Sequence, residues 1–180
     1  MNLQDSEFLT ASEREIDLRM VEEITVCPTF QRWFADAAGI DPEYADGFVG
    51  AWHSVADREP GESDLLFVWR SSSNRRFALL VEHKIDAPAQ PDEGARYTQR
   101  GEEGVLRGEW DAFKTCLIAP SQFLGSSAEA KLYDCAISYE RLEGALLSLG
   151  GCRSASPGSW WTLASSDCLS CLQTGPIRGR

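Results

Sequence analysis

The chain is short of positive charge. Its 180 residues hold 17 Lys and Arg against 28 Asp and Glu, a formal net charge of −11. Affinity for a polyanion normally rests on clustered basic side chains that displace counterions, so tight, salt-resistant nucleic-acid binding by the isolated chain is not expected. Histidine is scarcer still. With His53 and His83 alone, both far upstream, Cys168 and Cys171 of the C-x-x-C near the end lack partners for a four-ligand zinc site and read as incidental thiols. No apolar run approaches the length of a membrane span, and Met1 to Glu7 lacks the basic start and apolar stretch of a secretion signal, so a cytoplasmic protein without membrane association is expected. A Gly-rich phosphate loop, a G-x-S-x-G elbow and a dinucleotide fingerprint are all missing, which leaves kinase, serine hydrolase and dehydrogenase readings without support.

What the chain does hold is apolar residues: 43% are hydrophobic and 10% aromatic, enough for one good core. Residues 1–150 read as a single domain. Residues 151–180 differ in character, with one acidic residue, Asp167, no lysine, six serines, three cysteines and the pair Trp160-Trp161 without a clear period. This tail is expected to be loosely packed, and a shifted reading frame or truncated gene would produce such a break. Cys27, Cys116 and Cys135 sit in apolar contexts and read as buried, reduced thiols.

Along the chain, Ser12 with Glu15 three residues on makes a capping pattern, and Ile16, Met20, Val21 and Ile24 continue at helical spacing until Cys27-Pro28. A second helix is predicted over Thr29 to Ala38, stopped at Gly39. A strand follows around Phe48 to Val55. Leu65 to Trp69 and Phe77 to Val81 then read as two buried strands joined by the polar turn Ser71 to Asn74. Beyond them come a helix from Pro91 to Arg100, a strand from Thr115 to Ala119 ended by Pro120, a strand around Cys135 to Tyr139, and a helix to Leu149. The order α-β-β-β-α-β predicts an α/β fold: a mixed central sheet flanked by helices on both faces.

The chemistry concentrates in GESDLLFVWRSSSNRRFALLVEHKID, from Gly61 to Asp86. Side chains alternate along a strand, so Glu82 and Lys84 share one side while His83 takes the other. If the two strands pair antiparallel, Asp64 at the start of the first lies beside Glu82 at the end of the second. Two carboxylates forced together call for a cation or a proton between them, and hard oxygen ligands suit Mg2+, with Mn2+ as substitute, rather than zinc. The backbone carbonyl of His83 could add a third oxygen. Lys84 beside such an ion could orient or help deprotonate an attacking water and offset charge in a phosphoryl transition state. An E-x-K triplet by itself says little, because strand ends are often charged; the weight lies in its combination with the Gly-x-x-Asp entry and two consecutive strands. His83 and His53 read as structural rather than ligating residues.

Those residues, with the acidic first helix and Gln90-Pro91-Asp92-Glu93-Gly94-Ala95-Arg96-Tyr97, resemble the PD-(D/E)XK nuclease superfamily, in particular its compact bacterial members, over Ser12 to Tyr139. The resemblance implies a restriction-endonuclease-like αβββαβ core and a metal-dependent hydrolase of phosphodiester bonds, most plausibly a DNA endonuclease. It places Asp64, Glu82 and Lys84 on the catalytic triad, and Glu13 on the first-helix acid that aids metal binding, with Asp17 as its rival. Gln90 would contact water or phosphate, and Arg96 and Tyr97 fall on the helix after the triad. Glu93 departs from the pattern, standing where many relatives carry a second glutamine. Arg75, Arg76 and Arg100 are the further basic candidates for substrate contact, although such arginines also suit a solvated surface. Given the acidic balance, a homodimer or partner subunit would supply affinity. The alternative is a nuclease-like domain acting as a binding or regulatory module in a defence or repair assembly.

Overall fold

The computed structural model describes residues 13–57, 61–85 and 92–149. Ser12, Gln90, Pro91 and the tail from 151 lie outside them, as does the side chain of Glu13, so the expectations placed on these positions do not enter the description. Helix α1 (Glu13–Val26) and helix α2 (Pro28–Ala37) meet at Cys27. Pro28 opens α2, where its missing N–H is not needed by the first turn. The helix ends where Gly39 takes φ +62°, and the N–H of Ile40 donates to the carbonyl of Ala35 at 2.8 Å, closing the last turn.

The sheet runs β1 (Phe48–Asp57), β2 (Gly61–Arg70), β3 (Arg76–His83), β4 (Ala112–Ala119) and β5 (Cys135–Ser138), neighbours in that order. The first three strands form an antiparallel meander; β3 with β4 and β4 with β5 are parallel. The fold is therefore a mixed α/β one, as expected, with five strands and helices on both faces. At the β2–β3 turn the Asn74 N–H donates to the Ser71 carbonyl, with Asn74 at φ +65°, a backbone region that Asn tolerates better than most side chains. Lying at the centre of the sheet, β3 is buried on both sides, which is why its sequence is an unbroken apolar run instead of an alternating one.

Odd and even residues of β3 enter separate cores. Phe77, Leu79 and Val81 join Leu65, Phe67 and Trp69 under Ile16, Met20 and Ile24 of α1 and Phe30 and Phe34 of α2. Helix α5 (Tyr139–Ser148) adds Tyr139, Leu142 and Ala145, the first two to that same core. On the opposite face Ala78 and Leu80 pack with Leu117 and Ala119 of β4 and with Tyr97 of α3 (Glu93–Leu106).

Several elements exceed their predicted limits. Helix α3 continues to Leu106 because its inner face goes on as Gly101 and Gly104, which give room to the rings of Phe113 and Trp110. The short helix α4 (Ser121–Ser126) and a 3-10 turn at Glu129–Leu132 were not anticipated; both are brief and carry no full apolar period. Cys116 and Cys135 are free thiols as expected, whereas Cys27 is disulfide-bonded, contrary to the reduced state expected for it. Among the described residues no helix is long and apolar enough to cross a membrane.

Candidate active site

The pairing Leu65 with Val81, carried one step further, sets Asp64 beside Glu82 at the end of the hairpin away from its turn. The backbone completes the placement: the N–H of His83 donates to Asp64 Oδ2 at 3.0 Å. From α3, Tyr97 reaches both residues. Its hydroxyl donates to Glu82 Oε2 and accepts from the N–H of Asp64 at 3.1 Å. One phenol thus ties the backbone of one acid to the carboxylate of the other, and helical period decides which helix residue does so, because Gly94, Tyr97, Gly101 and Gly104 share the inner face.

Lys84 Nζ stands 2.6 Å from Glu82 Oε1 and 2.9 Å from Glu93 Oε2, with all three side chains less than a tenth exposed. Arg96 approaches Glu93 more distantly, at 3.8 Å. The described part of the site thus holds three carboxylates and one ammonium, with Glu82 and Glu93 on Lys84 and Asp64 beside Glu82. Burial works against charge on Lys84, but its hydrogen bonds to Glu82 and Glu93 outweigh it and hold the amine's pKa above its ordinary value. The excess negative charge falls on the two facing acids. Burial and then the charge of Asp64 push Glu82 up to about 8, against the pull of Lys84 and Tyr97. Burial raises Asp64 as well; the His83 N–H opposes this, while the charge of Asp17 adds to it. The raised values of Glu82 and Lys84 describe one coupled cluster, in which Lys84 keeps its proton and the Asp64–Glu82 pair is left needing a proton or a cation.

His83 turns to the other face of the sheet, as strand alternation predicts. Its Nδ1 lies 2.5 Å from Oδ1 of the buried Asp17 of α1, at an angle outside hydrogen-bond geometry, and neither of its ring nitrogens forms a hydrogen bond among the described residues. His53 of β1 lies 3.5 Å from the other oxygen of Asp17. Asp17 therefore serves the two histidines on the α1 side of the sheet.

The basic candidates separate. Arg75 and Arg76 sit at the hairpin turn, six or more residues from Glu82, or roughly 20 Å along the strand. Arg75 lies 3.5 Å from Glu43, and Arg76 donates to the carbonyl of Gly108 at 2.5 Å. Arg100 is buried over the ring of Tyr97, 4.9 Å from its centroid. Tyr97 is also buried, and its hydroxyl is already engaged by the Asp64 N–H and the Glu82 carboxylate, so it braces the acids from within. Of the five proposed contact residues only Arg96 is both partly exposed and beside the cluster. A depression of about 680 Å3 lined by Glu43, Asp46, Phe48, Arg70 and Ser72 lies at the hairpin-turn end, away from the acids.

Glu93, Asp17 as partner of the histidines, and Tyr133 are the site neighbours that sequence reasoning missed. Tyr133 follows the 3-10 turn, and its ring lies 5.7 Å from that of Tyr97. Burial first, then the charges of Glu82, Glu93, Glu129 and Asp64, raise its phenol pKa. As to metal, no group of three His, Cys, Asp or Glu side chains among the described residues is arranged to hold an ion. Asp64 and Glu82 nevertheless suit Mg2+, which is commonly bound through one or two carboxylates and keeps several of its waters. Compared with models of protein families, with curated proteins and with solved structures, the chain matches none of them.

Proposed function

We propose that the chain is a divalent-metal-dependent nuclease with a restriction-endonuclease-like core that hydrolyses phosphodiester bonds in DNA. The observation that carries this reading is the meeting of Asp64 and Glu82 on adjacent strands with the Lys84 ammonium 2.6 Å from Glu82. Asp64 and Glu82, with the His83 carbonyl at the strand exit, would hold Mg2+ or Mn2+; Glu13 remains the proposed first-helix ligand and Gln90 the proposed contact to water or phosphate. When bound, the ion would supply Lewis-acid polarisation of the phosphate and acidify a water. The protein's own groups do the rest. The N–H of His83 and the hydroxyl of Tyr97 set the two carboxylates in place. Lys84, kept protonated by its two acids, acts as a donor that orients water and offsets charge growing on the phosphate, and is poorly suited to removing a proton. Arg96 is the proposed basic contact nearest the cluster.

A second reading, the binding or regulatory module, is favoured by the net charge of −11, by the placement of Arg75 and Arg76 at the far end of the hairpin and by the burial of Arg100. The deciding experiment is incubation with supercoiled plasmid, linear and single-stranded DNA in Mg2+ or Mn2+, beside Asp64→Ala and Lys84→Ala. Metal-dependent cleavage by the native protein that both substitutions abolish supports the nuclease. Cleavage that survives either one removes the mechanism, and no cleavage of any DNA form favours the module.

A further inference from the structure

Tyr133 carries a buried phenol beside the site. It is 6% exposed, and its hydroxyl makes no hydrogen bond among the described residues. A buried hydroxyl left unpaired is costly, and such a group in a folded protein calls for an account. Its surroundings supply one. The 3-10 turn before it is pressed against the first turn of α3: a methyl group at Gly94 would stand 2.5 Å from Cβ of Leu132, and the Gly94 N–H donates to Glu129 Oε1 at 3.3 Å. That turn of α3 carries Glu93, the partner of Lys84. The Tyr133 ring packs beside Tyr97, whose hydroxyl holds Glu82. Burial and the neighbouring acids keep the phenol protonated, so it is a donor placed against a cluster of anions and bonded to none of them.

We propose that Tyr133 is a substrate-contacting residue of this site, its hydroxyl donating a hydrogen bond to a non-bridging oxygen of a phosphodiester seated over Asp64 and Glu82. This rests on the nuclease reading above and extends it to a residue outside the Asp-Glu-Lys set. The proton stays on the tyrosine throughout; the contact stabilises phosphate charge and forms no covalent bond. It also explains the missing partner: the hydroxyl is satisfied only when substrate is present.

The test is Tyr133→Phe, which removes one oxygen and no existing hydrogen bond. Three quantities are measured on the full chain: the thermal midpoint, plasmid cleavage in Mg2+, and anisotropy of a fluorescent oligonucleotide in Ca2+ as a non-catalytic stand-in. The expected result is a midpoint unchanged or raised, with cleavage slowed at least about tenfold and oligonucleotide binding weakened. Native and variant proteins cleaving at equal rates would overturn the proposal while leaving the nuclease reading intact. A midpoint lowered by more than about 5 °C would place the hydroxyl in the fold and overturn it too. If the native protein fails to cleave, the nuclease reading falls and binding decides: weaker binding by the variant keeps the phosphate contact, and equal or absent binding ends it.

Discussion

Lys84 and Glu93 form a buried ion pair, Nζ to Oε2 2.9 Å, that joins the exit of β3 to the first turn of α3. Because Lys84 also serves Glu82, its removal leaves two buried carboxylates without their cation. Breaking a buried pair from one side is strongly unfavourable. Lys84→Ala is expected to lower unfolding free energy by about 3–5 kcal/mol in urea titrations. Glu93→Gln, which keeps an oxygen acceptor for Lys84 and relieves crowded negative charge, should cost clearly less; equal losses would mean that packing, not charge, sets the effect.

The pH dependence of stability follows from Glu82. Its carboxyl is raised from 4.5 to about 8, so the folded chain holds this proton more tightly than the unfolded one. The resulting stabilisation is fully present below about pH 4.5 and is lost as pH rises through about 8. Without divalent ions, the urea midpoint should therefore decline between pH 5 and pH 9, roughly the window around those two values, and Glu82→Gln should flatten the decline. Mg2+ should raise the midpoint more at the alkaline end, where it no longer competes with the proton.

Asp17 lies between two histidines on the α1 face, 2.5 Å from His83 and 3.5 Å from His53. Asp17→Ala removes the buried side chain that both histidines share and opens a small void under α1, for an expected loss of about 1–3 kcal/mol. His53→Ala should cost under about 1 kcal/mol, because that contact is longer and the ring partly exposed. Chemical denaturation of the two variants checks the order, and a reversed order would show that His53 is the partner that matters.

Gly104 and Gly101 mark where α3 meets the α3–β4 connection and β4. A methyl group at Gly104 would stand 1.9 Å from Cζ2 of Trp110, and one at Gly101 2.1 Å from Cδ2 of Phe113. Either alanine variant must push an indole or phenyl ring aside, at an expected cost of about 1–3 kcal/mol. Thermal midpoints of the two variants, with Gly144→Ala as a control where the added carbon meets nothing within 4 Å, provide the comparison.

Cys116 and Cys135 face each other across the parallel β4–β5 pair, one fully buried and the other half-buried. The hydrogen bond between them lowers the pKa of Cys135 and, together with burial, raises that of Cys116. Brief alkylation of the native protein should therefore label Cys135 well before Cys116, as read by peptide mass spectrometry. Comparable labelling of both would mean that the β4–β5 edge opens readily.

Much of this arrangement is written in local sequence. The apolar runs Leu65 to Trp69 and Phe77 to Val81, with a polar turn between them, prescribe an antiparallel hairpin, and a side-chain period of two then sends Glu82 to one face and His83 to the other. The position of Arg75 and Arg76 was legible by the same reasoning, since residues at a hairpin's turn lie a full strand away from its open end. The inward face of α3 was legible only in part, since the helix was expected to end at Arg100, before Gly101 and Gly104, whose small size is explained only by the rings of Phe113 and Trp110 that dock there. Other relationships have no local signature. That Glu93 meets Lys84, that Asp17 meets His83 and that Tyr133 lies against Tyr97 depends on how α1, α3 and the 3-10 turn dock onto the sheet. Docking is set by the fit of whole apolar faces, and the charged residues at their margins meet the partners that this fit brings within reach, irrespective of their separation along the chain.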